Sequence, residues 1–307
     1  MHVLLTNDDG APHDTASPYV KYLVEAIEKH TNWDLTICVP SMQKSWIGKA
    51  HFAGKTITAS YVYSAINKPE DNSFHGPFGS PNPDYANNPE YKEWCLLDGT
   101  PATCADIGVN YIAKKPVDLV ISGPNVGRNS SALYSLSSGT IGGAMEGFQH
   151  GKKSIAISYA YDTESASTPD RLTEASLIAV KLVEKLLSVW DKRIDLYTVN
   201  IPLTEELKLG STKCVFAPLL ENKWTRSLYT PSSHTEQKES QDIVDQTVTQ
   251  GQTFQWTPDF NSVHKNLGPE DVLTDARALK KGYISVTGLR AAFETVPELN
   301  SGEIDLK

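Results

Sequence analysis

The stretch Val3-Leu4-Leu5-Thr6-Asn7-Asp8-Asp9-Gly10 joins a short apolar run to two adjacent carboxylates and a glycine. Val3 to Leu5 predicts a buried strand, because short apolar runs bounded by turn residues are typical of parallel sheets. Acidic side chains rarely lie at the end of such a strand unless a positive charge lies between them. A hard divalent cation such as Mg²⁺ or Mn²⁺, which prefers oxygen ligands, is one explanation. A solvated Asp-Gly turn is the alternative, and this stretch alone does not decide between the two.

Composition and charge narrow the possible functions. Of the 307 residues, 39% are hydrophobic and 21% are charged, as in an ordinary globular enzyme. The net charge of -9 argues against binding to duplex DNA or to an anionic membrane. It is compatible with a small phosphorylated ligand, because a metal ion can supply local positive charge.

The cysteines and the N-terminus bear on location. The four cysteines are far apart and form no Cys-x-x-Cys pair, so we expect neither a zinc site nor a disulfide framework. Cys38 and Cys95 lie in apolar runs and are predicted to pack in the core. The N-terminus does not resemble a signal peptide, and no apolar run approaches the length of a membrane span. We therefore expect a cytoplasmic protein.

Strands and helices alternate over the first two thirds of the chain. Apolar runs predict strands at about 2–6, 34–39, 94–97, 117–122, 154–158 and 194–201. Helical periodicity and N-cap signals predict helices at about 17–30, 101–113, 139–150 and 172–190. Thr100 is expected to cap the second of these, with Pro101 at its first position. The alternation predicts an α/β fold with a doubly wound, mainly parallel sheet.

Two segments interrupt this pattern. Residues 67–93 are crowded with Pro, Gly and Asn, which predicts an irregular excursion. Residues 225–265 are polar and rich in Ser, Thr and Gln, which suggests a projecting hairpin or arm. A final strand is predicted at 282–287.

Oxygen-bearing side chains follow three of the predicted strands. Asp8 and Asp9 follow the first strand, Ser45 lies in the loop after the second, and Asn125 follows the strand at 117–122. In open α/β sheets, ligands bind outside the carboxyl ends of the strands near a topological switch point. If these strands are neighbours, two carboxylates, a hydroxyl and an amide carbonyl form a partial shell for Mg²⁺ or Mn²⁺.

A possible anion site lies beside this set. Ser138, Gly139 and Thr140 precede a helix, and free N–H groups at a helix N-terminus can bind a phosphate. The same residues are also explained by a simple N-cap. A cation next to an anion site would describe phosphoryl chemistry, with Asn7 joining these three residues around the phosphate.

Motifs along almost the whole chain resemble the SurE family of survival-protein nucleotidases. They are Leu-Leu-Thr-Asn-Asp-Asp-Gly (4–10), Val-Pro (39–40) leading to Ser45, Gly-Thr-Pro-Ala-Thr-Cys (99–104), Ser-Gly-Pro-Asn-Val-Gly (122–127), Ser-Gly-Thr-Ile-Gly-Gly-Ala-Met-Glu-Gly (138–147), Val-Asn-Ile-Pro (199–202), and Thr-Asp (274–275) ahead of Gly-Tyr-Ile-Ser-Val-Thr (282–287). They occur in the family's order, which makes the series specific.

The resemblance implies a metal-dependent phosphatase that hydrolyses nucleoside 5′- and 3′-monophosphates, with acid-phosphatase or polyphosphatase activity in some members. Carried over by motif, the metal ligands would be Asp8, Asp9, Ser45 and Asn125. Asp8 or Asp9 would also assist deprotonation of the attacking water. The family further implies a Rossmann-like core, a projecting β-hairpin at about 225–265, and a C-terminal exchange segment that builds a homodimer or homotetramer.

We therefore expect one SurE-like domain over residues 1–307, with its core at about 1–205 and 266–290. The excursion at about 67–93 resembles an insertion of the longer, fungal-type members. In fungi such a domain can be joined to a tubulin–tyrosine-ligase-like domain. The helix at 139–150 carries Gly142 and Gly143 where alanines are usual in the family.

Other functions fit the sequence to different degrees. The loop before Ser45 reads Ser-Met-Gln-Lys instead of the family's usual Asp-Arg-Asn-Arg, so a catalytically weak nucleotide-binding or scaffold domain is an alternative. A nicotinamide dehydrogenase is excluded by the lack of Gly-x-Gly-x-x-Gly after the first strand. A haloacid-dehalogenase-type phosphatase fits poorly, because its two aspartates are two residues apart.

Overall fold

The architecture is that of a Rossmann-like α/β protein, and the computed structural model describes residues 1–161, 166–232 and 252–295. The strands within these ranges are β1 (His2–Thr6), β2 (Asp34–Pro40), β3 (Ala59–Ala65), β4 (His75–Phe78), β5 (Tyr91–Leu97), β6 (Leu119–Val126), β7 (Lys153–Ala160), β8 (Leu196–Pro202), β9 (Cys214–Phe216), β10 (Tyr229–Ser232), β11 (Thr253–Trp256) and β12 (Ile284–Leu289). The α-helices within these ranges are α1 (Val20–His30), α2 (Pro83–Ala86), α3 (Pro101–Ile107), α4 (Ser131–Ser137), α5 (Gly139–Gln149), α6 (Pro169–Ser188), α7 (Phe260–Lys265) and α8 (Asp275–Lys280). A π-helical segment, Gly108–Ile112, directly follows α3.

Ten of the described strands form one sheet in the order β4-β3-β5-β2-β1-β6-β7-β8-β12-β9. Six neighbouring strands in this order are all parallel to one another: β5, β2, β1, β6, β7 and β8. The chain passes from β1 to β2 on one side and later returns to β6 on the other, so the topological switch point lies between β1 and β6. The predicted doubly wound, mainly parallel sheet is confirmed.

The first strand shows how the sheet divides the core. Val3 and Leu5 pack with α1 and α6 on one face, whereas Leu4 packs on the other face. Because side chains alternate across a strand, an apolar residue at every position indicates burial on both faces. Cys38 and Cys95 are buried beside Leu4, as predicted.

Local capping explains where the helices begin. Thr100 caps α3 by accepting a hydrogen bond from the Thr103 N–H at 3.1 Å, with Pro101 at the first helical position, as predicted. Thr168 and Pro169 begin α6 in the same way. No helix in the described ranges is both long enough and apolar enough to cross a membrane.

The prediction that residues 67–93 are wholly irregular is wrong. Strand β4 pairs antiparallel with β3 at the edge of the sheet, where Pro77 removes no hydrogen bond needed by an inner strand. Asn82 caps α2, with Pro83 at its first position. Pro77 lies within an edge strand and Pro83 begins a helix, positions that proline density alone does not reveal.

Part of the predicted arm lies within the described residues. Strands β10 and β11 pair antiparallel, consistent with a hairpin, and residues 233–251 between them lie outside the described ranges. The predicted C-terminal exchange segment falls largely on residues 296–307, which are also outside them. That segment and the oligomer it would build remain predictions.

Strand β6 continues further than the sequence indicated. Its pairing with β7 shifts register between Ser122 and Asn125, so Asn125 lies inside the strand, opposite Ser158, and not after its end. Gly123 adopts φ +127° at this bulge, and a Cβ there would lie 2.2 Å from the Ile157 carbonyl oxygen. The bulge therefore requires glycine at this position.

We predict that Gly123→Ala lowers the free energy of unfolding by about 3 kcal/mol or more, from the added clash and the unfavourable φ. Gly210→Ala is the matched control, because Gly210 also has a positive φ but a Cβ added there would meet nothing within 4 Å. We expect Gly210→Ala to lower the free energy of unfolding by about 1 kcal/mol. Urea unfolding of both variants measures the difference, and equal losses would contradict the assigned role of the close contact.

Candidate active site

The carboxyl end of β1 carries two acids that touch the segments on either side of it. The Asp9 Oδ2 atom accepts a hydrogen bond from the Val126 N–H at 2.9 Å, which reaches across the switch point to the end of β6. On the other side, the Asp8 carbonyl oxygen accepts one from the Lys44 N–H at 2.7 Å, in the loop after β2. Residues 7–10, which we call the acidic loop, thus connect the ends of the three neighbouring strands β2, β1 and β6.

Both carboxyl groups are almost completely buried, with Asp8 2% and Asp9 3% exposed. Burial raises the pKa of Asp8, although hydrogen bonds from Thr140 oppose the shift. Burial, followed by repulsion from Asp8, raises the pKa of Asp9 well above its usual value. The partners of Asp9 are neutral: the Val126 N–H, Gln43 and Ser45. Two adjacent buried acids with neutral partners fit a divalent cation, which would compensate their charge.

The other two candidate ligands lie beside this pair. The Ser45 side chain lies near the Asp9 carboxyl group and acts to lower its pKa. The Asn125 Nδ2 donates to the Gly127 carbonyl oxygen at 2.9 Å, which leaves its Oδ1 atom for a cation. Asp8, Ser45 and Asn125 line one cleft of about 380 Å³. The structure therefore brings together the four residues that the sequence singled out as ligands.

The donor set has the character of a magnesium or manganese site. In the part of the chain that the structure describes, no group of three or more His, Cys, Asp or Glu side chains is placed to hold a metal. The candidate set instead combines two carboxylates with one hydroxyl and one amide. Oxygen donors of this kind suit a hard cation that keeps several waters, and suit zinc less well.

The predicted phosphate-binding residues are divided between two roles. Ser138 lines the cleft and caps α5, where its Oγ accepts from the Ile141 N–H at 3.1 Å. Thr140 is fully buried, and its hydroxyl donates to Asp8 Oδ1 at 2.5 Å. Asn7 is also fully buried, and its amide exchanges hydrogen bonds with the backbone of Gly10. Asn7 and Thr140 thus contact the acidic loop.

Two glycines bring α5 close to the acidic loop and its neighbour. A Cβ on Gly139 would lie 2.8 Å from the Asp8 Cβ, and one on Gly142 would lie 2.5 Å from the Gly48 carbonyl oxygen. An alanine at position 142 would therefore displace the backbone near Gly48. This close approach requires glycine at position 142 of this chain.

Several residues of the cleft were not found by sequence reasoning. They are Trp46, Arg128, Asn129, Tyr134, Tyr161, Phe260 and His264. Trp46 and Asn129 lie within four residues of a predicted ligand, and that proximity was the available signal. Asn129 is held by Asn200 and Ser158, at 2.8 and 2.9 Å. Phe260 and His264 come from α7, far along the chain, and nothing local indicates their position.

Comparison with known proteins places these features in a family. The model of the family "Survival protein SurE" matches residues 3–226. A Saccharomyces cerevisiae protein named "Probable tubulin--tyrosine ligase PBY1" is 42% identical over 326 aligned positions, which cover 100% of this chain and 43% of that protein. The chain thus spans less than half the length of the yeast relative.

Other relatives match over nearly their whole length. A protein named "5'-nucleotidase SurE" from Methanocaldococcus jannaschii is 29% identical, with 94% of this chain and 91% of the relative covered. The crystal structure of the SurE protein from Aquifex aeolicus matches with a TM-score of 0.62 at 22% identity, covering 97% of each chain. The last match bears on the fold alone. With most of its length matched by the family model, the chain belongs to the SurE family.

Proposed function

We propose that the protein is a metal-dependent phosphomonoesterase that hydrolyses nucleoside 5′- and 3′-monophosphates to a nucleoside and phosphate. The observation that carries the proposal is the pair of buried, adjacent carboxyl groups at the switch point, with Ser45 and Asn125 beside it. The names of its SurE relatives support a nucleotidase. The same chemistry extends to other small phosphomonoesters, as in a broad acid phosphatase.

In this proposal Asp8, Asp9, Ser45 and Asn125 hold Mg²⁺ or Mn²⁺. When bound, the cation withdraws electron density from the phosphoryl group and favours attack by water. Ser138, through its hydroxyl hydrogen, and the Gly139 N–H at the start of α5 hold the phosphate, because the N-terminal N–H groups of a helix precede its internal hydrogen bonds. The first such bond of α5 runs from the Gly142 N–H to the Ser138 carbonyl oxygen.

The two acids differ in what they can do. Asp8 lines the cleft, whereas the Asp9 carboxyl group accepts hydrogen bonds from Val126 and Gln43. We therefore assign to Asp8 the acceptance of a proton from the attacking water and to Asp9 the fixing of the site's geometry. Thr140 positions Asp8 through its hydroxyl, and Asn7 fixes the turn that carries both acids.

The proposal predicts divalent-dependent phosphate release. The full chain is assayed with nucleoside 5′- and 3′-monophosphates, diphosphates and polyphosphate, with Mg²⁺ or Mn²⁺ and with EDTA. We expect release from monophosphates that EDTA abolishes and added cation restores. Release that persists in EDTA would contradict the metal role. Binding of nucleotide and metal without release from any ester would instead support the scaffold alternative.

Asp8→Asn is expected to lower kcat/KM by at least about 100-fold, because it removes a charged ligand while an amide oxygen can still accept from Thr140. The midpoint of thermal unfolding should change little. Asp98→Asn is the matched control, since Asp98 also follows a parallel strand but is exposed and lies outside the cleft. Full activity in Asp8→Asn would refute the assignment.

Thr140→Val tests the positioning of Asp8. The change keeps the shape of the side chain and removes the hydroxyl that donates to Asp8 Oδ1. We expect kcat to fall about 10- to 100-fold, because partners that orient a metal ligand have effects of this size. The cation concentration needed for half-maximal activity should rise. Thr140→Ser keeps the hydroxyl and should restore most of the activity. Equal loss in both variants would indicate a packing role only.

A further inference from the structure

One side of the cleft is formed by aromatic rings, which we call the aromatic wall: Trp46, Tyr134, Phe260 and His264. The Trp46 ring lies 5.7 Å from that of Phe260, stacked at 26°, and 5.5 Å from that of Tyr134. The Tyr134 hydroxyl and the His264 Nε2 are 2.8 Å apart, at hydrogen-bonding distance. These rings come from three distant segments of the chain and converge on the cleft that holds Asp8.

Trp46 is held in an unusual backbone conformation. Its φ of +66° is rare for a bulky residue and is maintained only when surrounding contacts impose it. The centroids of the Trp256 and Trp224 rings lie 5.4 and 6.2 Å from that of Trp46, so two further aromatic rings pack near it. The strain falls on the residue directly after Ser45, a candidate metal ligand. The loop thus presents a large ring next to the proposed metal centre.

The wall remains open to solvent on its cleft side. Trp46, Tyr134, Phe260 and His264 are each half-buried, unlike the fully enclosed side chains of the core. Burial raises the pKa of Tyr134 to about 12, although the nearby Arg128 charge acts to lower it, so the hydroxyl stays neutral. A cleft of about 380 Å³ falls in the range of small-molecule sites. An aromatic surface of this kind fits a flat, uncharged ring system.

We infer that the aromatic wall binds the base of a nucleotide while the acid pair engages its phosphate. The inference rests on the proposed function and deepens it, since it makes the protein selective for esters that carry an aromatic base. Stacking on a side-chain ring stabilises any base, so little discrimination among bases is expected. Loss of such stacking typically weakens binding by about 10- to 100-fold.

The test compares two substrates, adenosine 5′-monophosphate and glycerol 2-phosphate, which lacks an aromatic group. Trp46→Gly removes the ring, and glycine accommodates the positive φ without strain. We expect KM for the nucleotide to rise about 10- to 100-fold while KM for glycerol phosphate and both kcat values change less than about threefold. Trp46→Phe keeps an aromatic ring and should restore most of the nucleotide selectivity.

Phe260→Leu is a second variant, which keeps apolar bulk and loses the aromatic face. It should also raise KM for the nucleotide while leaving KM for glycerol phosphate nearly unchanged. Tyr111→Ala is the control, because Tyr111 is 80% exposed and does not line the cleft. Equal changes in KM for the two substrates would overturn the inference. They would indicate that the rings only pack strands β10 and β11 against the rest of the protein. Unchanged nucleotide KM in Trp46→Gly would overturn it as well.

Failure of the proposed function has a different signature. If the unmodified protein releases no phosphate from either ester, the phosphatase proposal falls. Calorimetric titration of the unmodified protein and of Trp46→Gly with adenosine 5′-monophosphate, in the presence of Mg²⁺, then tests the wall directly. Weaker binding in the variant supports the base site, and equal or absent binding in both overturns it.

Discussion

The hydrogen bond between the Val126 N–H and the Asp9 carboxylate spans the point where the sheet is divided between two directions of winding. A crevice necessarily forms between β1 and β6, because the connections leave those strands on opposite sides. Asp9 hydrogen-bonds to the end of β6 across this junction, and Asp8 lines the cleft. The candidate metal ligands, the N-terminal end of α5 and the aromatic wall all lie around this junction.

The same junction concentrates negative charge in a region with little solvent. Both acids are buried, and the groups that donate to them are neutral. Removing a charge from water without a counter-charge is unfavourable, so the arrangement favours either protonation or a bound cation. The helix N-terminus of α5 faces Asp8 through Gly139 and Thr140 and partly offsets that cost. The fold therefore places two buried acids, with no positive partner among the described residues, beside the N-terminus of a helix.

Sequence reasoning located the features that depend on local pattern. Apolar runs indicated the strands, and the rule that ligands collect at strand ends predicted that Asp8, Ser45 and Asn125 would meet, as they do. It did not foresee that Gly123 absorbs a bulge and keeps Asn125 inside β6, because register depends on the partner strand. It also predicted that Thr140 binds phosphate, and it did not foresee that the Thr140 hydroxyl contacts Asp8, a partner 132 residues away. The aromatic wall was beyond reach for the same reason, since Phe260 and Trp46 are joined only by tertiary packing.

Because Phe260 and His264 complete one side of the cleft, the cleft is complete only after α7 has been synthesised. The β1 strand and its acids are synthesised before α7, and domains generally fold as units during synthesis. Strand β12, which inserts between β8 and β9, is made later still. Until α7 has been made, the cleft lacks the Phe260 and His264 rings. The order of synthesis thus places completion of the cleft after strands β1 to β11 have been made.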